Sequence, residues 1–144
     1  MAGWRAQLSG NPFATMVALT AVVLGALGMI IGDGVSRGMT DSLAGHANAI
    51  AHLWGLIFAT GGALTLYGLY ARRVTLELPG LYLVAGGYAF YCLTVLTGLK
   101  QHGLAAGVIS GGLAAGGLLK AHAITVRARQ VGAATPEAAG GETA

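Results

Sequence analysis

Long apolar runs broken by short polar stretches dominate the chain, and the runs have the length of a bilayer crossing. About 20 mostly apolar residues span a bilayer as a helix. Residues 12–32 form the first run, free of charge, opened by Asn11-Pro12 and closed by Asp33-Gly34. Asn suits a helix cap and Pro the first helical position. Residues 43–71 form the second run. It is longer than one crossing, so the part carrying His46, Asn48 and His52 is expected at or above the interface, with embedding from about residue 50. Residues 79–99 form the third run, again opened by a proline, and residues 103–125 the fourth. The pattern predicts an all-α, integral membrane four-helix bundle. Short connections at 33–42, 72–78 and 100–102 make neighbouring helices antiparallel. The first, DGVSRGMTDS, reads as a polar, turn-rich outer loop. Residues 1–11 form a short N-terminal segment. Residues 126–144, rich in Ala, Gly, Glu and Thr, read as a disordered C-terminal tail.

Composition agrees with lipid as the solvent. Hydrophobic residues make up 55% of the 144 residues and charged residues only 9%, against about 25% charged in soluble domains. Such a chain lacks the polar groups to cover a water-exposed surface. The net charge of +3 rests on only eight Lys and Arg. They form no basic run interleaved with aromatics, so nucleic-acid binding gains no support. They serve instead as topology signals. Arg5, Arg72, Arg73, Lys120, Arg127 and Arg129 fall on one side of the four runs, and Arg37 and Lys100 on the other. This predicts both termini in the cytoplasm of a bacterial inner membrane. Interface anchors are then expected at Trp54 on the outer side and at Tyr67, Tyr70, Arg72, Arg73, Lys120, Arg127 and Arg129 on the inner side. Arg5 before an apolar stretch also resembles a secretory signal, but the stretch is too long for an h-region and no clean A-x-A site follows at its end.

Candidate chemistry is sparse. Cys92 is the single cysteine, which excludes an internal disulfide and a CxxC redox pair. No Asp, Glu, Lys or Arg lies deep in a run, where coupled transporters place them. His46 and His52 are about 240° apart on a helix, so a haem or metal site would have to join His52 to His102 across two helices. The competing reading makes both interfacial polar residues. No cofactor is expected. His122 beside Lys120 reads as ordinary headgroup anchoring. Glu77 is expected to pair locally with Arg72 or Arg73. The Tyr88 and Tyr91 hydroxyls are expected to find Thr94, Thr97, Ser110 or a helix carbonyl. A lone acid with no partner acid or nucleophile names no reaction, so the chain reads as a non-enzyme.

Glycine supplies the one recurrent pattern. "GLAAGVISGGLAAGG" at residues 103–117 would fray a helix in water, with a summed penalty of about 6 kcal/mol against alanine. In lipid the backbone must satisfy its own hydrogen bonds, so helix is enforced. Small residues four apart let helix backbones approach. Gly103, Gly107 and Gly111 form one row, and Gly112 and Gly116 a neighbouring one. Gly28 and Gly32 mark the first run, with Gly25 before them, and Gly61 and Gly62 the second, with Gly55 and Gly68. Such rows serve either packing within one bundle or association with other chains. The partners expected are the bilayer and copies of this chain or other membrane proteins.

"NPFA" at Asn11 to Ala14, "HLWGLIFATGGALTLYGLY" at His52 to Tyr70 and "LELPGLYL" at Leu76 to Leu83 carry a resemblance. The layout is similar to small four-pass membrane proteins of actinobacterial phages and prophages. The resemblance implies a self-associating membrane protein without catalytic residues, holin-like in permeabilising the host membrane. An accessory or scaffold subunit of a larger complex, or a prophage exclusion factor, is the alternative, and a haem-binding bundle a further one. The tail departs from the commonest holin pattern, since it is not densely charged beyond Arg129.

Overall fold

A computed structural model describes residues 11–43 and 45–134, with side chains placed through residue 132. The N-terminal segment with Arg5, and the part of the expected tail from 135 to 144, lie outside the described residues. The chain is all-helical, and among the described residues no strand occurs. Helix α1 spans Pro12–Ile31, α2 Arg37–Ser42, α3 Ala47–Ala71, α4 Val74–Leu99 and α5 Leu104–Ala134. Short 3-10 turns at Gly32–Val35 and Lys100–Gly103 join α1 to α2 and α4 to α5. Three stretches are long and apolar enough to cross a membrane: Pro12–Val35, Ala47–Ala71 and Val74–Gly132, the last running through both α4 and α5.

Local chemistry explains the helix ends. Pro12 opens α1, where its missing N–H leaves no orphan donor. Gly32, at φ 69°, closes it by returning its N–H to the Gly28 carbonyl. Arg72 takes the same left-handed role at the end of α3, with its N–H on the Gly68 carbonyl. Within the helices, hydroxyls fold back on their own backbone: Thr20 onto Met16, Thr60 onto Leu56, Thr97 onto Leu93 and Ser110 onto Ala106. Each hydroxyl is thereby satisfied without water, as apolar surroundings require.

The long helices form an antiparallel series. α1 lies on α3, α3 on α4, and α4 on α5. Glycine makes the closest seams. A Cβ at Gly25 would strike the Ala59 backbone, and one at Gly62 would sit 2.6 Å from the Ala18 carbonyl oxygen. Gly68 meets the Glu77 backbone, and Gly80 meets Thr65. At the centre Trp54, Phe58, Tyr88, Val84, Ala51 and Met39 form one buried cluster. Phe58 stacks near Trp54 at 5.0 Å and meets Tyr88 edge-on at 4.8 Å. Outside, Phe13, Ile30, Leu53, Leu93, Val108 and Leu119 are all exposed. An apolar exterior on this scale is foreign to a monomer in water.

Four boundaries differ from the sequence reading. The stretch 33–42 is no free polar loop. Its helix α2 docks on α4, with Met39 fully buried and Gly38 against Val95. α3 begins at Ala47 rather than 43. α4 begins at Val74, so Pro79 lies inside the helix, early enough that few backbone bonds are lost. α5 continues to Ala134, so residues 126–134 are helical rather than tail.

Candidate functional site

α1 and α5 are the outer helices of the series, and they meet each other hardly at all. Between them runs a cleft floored by α3 and α4. Its middle is lined by Thr20 and Leu24 of α1, Phe58 of α3, Tyr88 of α4, and Ile109 and Leu113 of α5, around a space of about 280 Å³. A narrower recess of about 90 Å³ continues it, bounded by Ala14, Val17, Val84, Leu113, Gly116 and Lys120. Leu113 borders both spaces. Lys120 borders the recess and also a polar mouth of about 400 Å³ formed with Asn11, Glu77, Ala123, Ile124 and Arg127.

An ion pair stands at that junction. Lys120 Nζ lies 2.7 Å from Glu77 Oε1, with the side chains 28% and 12% exposed. The Glu77 backbone is pressed against Gly68 of α3, which fixes its height. The Lys120 nitrogen is buried, and the close contact with the Glu77 carboxylate balances its charge. The expected local pairing of Glu77 with Arg72 or Arg73 is therefore corrected. The carboxylate turns inward to α5, because helix begins at Val74 and carries Glu77 away from the turn. Lys120 is likewise an ion-pair partner at the cleft rather than a simple interface anchor.

Trp54 is also not at an outer rim. It is 6% exposed, and its indole N–H donates to the Gly87 carbonyl at 3.0 Å. Gly87 has no side chain to block that approach, and a Cβ there would run into Phe58. Tyr67 and Tyr70 are exposed, as are Arg72, Arg73, Arg127 and Arg129. Tyr88 donates to the Val17 carbonyl at 3.3 Å, one of the partners expected of it.

The imidazoles answer to different neighbours. His52 Nδ1 is 2.8 Å from the Met29 carbonyl, which only accepts, so Nδ1 carries the proton. Its Nε2 faces Gly32. His102 is exposed on the turn between α4 and α5, which packs on those helices and not on α3. The structure thus does not bring His52 and His102 into one site. Among the described residues no group of three or more His, Cys, Asp or Glu is placed to hold a metal.

The glycines divide into two sets. Gly28 meets Trp54 and Gly55, Gly32 meets Asn48, and Gly61 meets Leu83. Gly62 meets Ala18, Gly103 meets Val95, Gly107 meets Leu96, and Gly111 meets Cys92. Gly112 and Gly116 meet nothing: a Cβ on either would enter open space. Sequence reasoning passed over Gly38 and Gly98, which seat α2 on α4, and Gly80, which admits Thr65. Spacing within one helix does not reveal a glycine that faces a different element. Nor does any local signal join Glu77 to Lys120, which the sequence pattern places in a loop and in a separate run. Compared with protein-family models, curated proteins and solved structures, the chain matches none.

Proposed function

We propose that this chain is a four-span, non-enzymatic protein of a bacterial inner membrane, with both termini cytoplasmic, that associates with copies of itself and permeabilises the membrane in the manner of phage holins. The observation that carries the reading is the open pair Gly112 and Gly116 on α5. Four residues apart, they form the small-xxx-small spacing at which membrane helices approach backbone to backbone. The row one step round the same helix is used up against α4; this pair has no partner among the described residues. Orientation is supported by Arg72, Arg73, Lys120, Arg127 and Arg129, which gather where α3 ends, α4 begins and α5 finishes.

The test pairs an assembly measurement with a membrane measurement. The purified full chain is sized in mild detergent, and membrane potential is followed by a dye during expression in a bacterial host. Wild type is expected to form oligomers and to collapse the potential, and Gly112→Leu to do neither while staying folded. Cells that keep their potential at full expression would overturn permeabilisation. An oligomer unchanged in Gly112→Leu, or a stoichiometric second protein in place of self-association, would overturn the assembly reading.

A further inference from the structure

From the cleft between α1 and α5 we infer a binding site for one anionic glycerophospholipid, with an acyl chain in the cleft and the phosphate at the mouth beside Arg127. The site needs the bilayer of the preceding proposal but not self-association.

Shape gives the first reason. The cleft is apolar along its length, with Leu24, Ile109 and Leu113 exposing carbon, and it opens sideways between two helices that scarcely touch. A helix with side chains is about 10 Å across, which the 90 Å³ recess between Val17, Val84 and Leu113 does not admit. A hydrocarbon chain is slender enough to enter it.

Charge gives the second. The recess ends at the Glu77–Lys120 ion pair, where the buried ammonium is held by the carboxylate and the two charges cancel. The cation left open to a phosphate is the exposed guanidinium of Arg127. Arg127 lines that mouth, and its cation is not needed to balance Glu77. A phosphate with no counter-charge of its own gains from that surplus. A choline headgroup, which brings its own cation, gains less. Amphiphile and site thus match end to end, apolar to apolar and anion to cation.

The experiment uses the full chain in mild detergent, titrated separately with phosphatidylglycerol, phosphatidylcholine and inorganic phosphate, with adducts counted by native mass spectrometry. Wild type is expected to retain one phosphatidylglycerol per chain, preferred about five-fold over phosphatidylcholine, the effect of about one basic residue near a headgroup. Ala14→Phe, projecting into the recess, should abolish the adduct, and Thr20→Phe, higher in the cleft and on an exposed position, serves if Ala14→Phe fails to fold. Arg127→Gln should bring phosphatidylglycerol down to the phosphatidylcholine level. Equal retention of the two lipids by wild type, or an adduct unaffected by both cleft-filling variants, would overturn the inference. Displacement of the lipid by millimolar inorganic phosphate would reduce the site to a phosphate pocket and overturn it also. Loss of oligomer on filling the cleft would assign the space to a second copy, again against the inference. Because Gly112 lines no part of the cleft, Gly112→Leu should keep the lipid even as a monomer, which separates a failure here from a failure of the self-association reading.

Discussion

Helix α1 has two sides of opposite character. Toward α3 it is zipped backbone to backbone: Gly25 and Gly28 face Gly55, and Ala18 faces Gly62, with no room for a further carbon at any of these contacts. Toward α5 it leaves a cleft wide enough to hold about 280 Å³ of empty space. Both sides are apolar and both helices are rich in small residues, so hydrophobicity does not separate them. Register does. On the α3 side, glycines on one helix meet glycines or alanines on the other at the same height. On the α5 side, small residues are present across from Phe13, Val17 and Leu24, but a Cβ at Gly112 or Gly116 would meet no residue of α1 and open space lies between the helices. In apolar solvent there is no hydrophobic drive to close such a gap, and contact depends on close fit.

The seam breaks most easily at Gly55. A Cβ there would lie 2.6 Å from the Gly25 carbonyl oxygen and 2.6 Å from the Met29 nitrogen, both backbone atoms of α1. Gly55→Ala is therefore expected to separate the helices and destabilise the fold by about 3 kcal/mol, read as a fall in thermal unfolding temperature in detergent. A variant as stable as wild type would show that the seam is loose in practice. Next in size is the ion pair that closes the cleft's inner end. Glu77→Ala leaves the Lys120 ammonium without its carboxylate, at an expected loss of about 2 kcal/mol, below the cost of a fully buried pair because Lys120 is part exposed. Glu77→Gln with Lys120→Met should recover most of it. If the double variant is no better than Glu77→Ala, the pair's role lies outside mutual neutralisation. Trp54→Phe comes third, at about 1 kcal/mol, for the lost hydrogen bond to the Gly87 carbonyl.

These sites also mark what could be read from residues alone. The run lengths place α1 to within a residue, because a charge-free stretch between Pro12 and Asp33 allows little else. They fail at Pro79, where a proline expected at the helix start is the sixth residue of α4, beyond a first turn whose Glu77 meets Gly68 of α3 and Lys120 of α5. They fail again at Met39, one apolar residue in a polar decamer, whose burial depends on Gly38 meeting Val95 from another element. Depth along a helix follows from counting residues; facing does not. Trp54 was assigned by depth to an interface, and its facing puts it in the core. The cleft was invisible for the same reason, since it exists only as a mismatch of heights between α1 and α5.

The smallest expected effect is the sharpest test of that contrast, because it repeats the Gly55 substitution where the structure leaves room. Gly112→Ala adds a methyl group that meets nothing among the described residues, and alanine favours helix over glycine. The stability of the single chain should stay within about 0.5 kcal/mol of wild type. Any effect of a larger side chain must then come from outside the chain. Gly112→Leu should likewise leave the unfolding temperature of the monomer in place while removing the oligomer, since a leucine holds a second backbone at a distance that glycine does not. A matched pair of scans, one on unfolding and one on assembly, separates the two kinds of glycine: Gly55 moves the first through its own α1 contact, and Gly112 moves only the second. Should Gly112→Ala unfold the chain as Gly55→Ala does, the open face of α5 would be closed by a contact within the same molecule, and the distinction between seam and free face would fall.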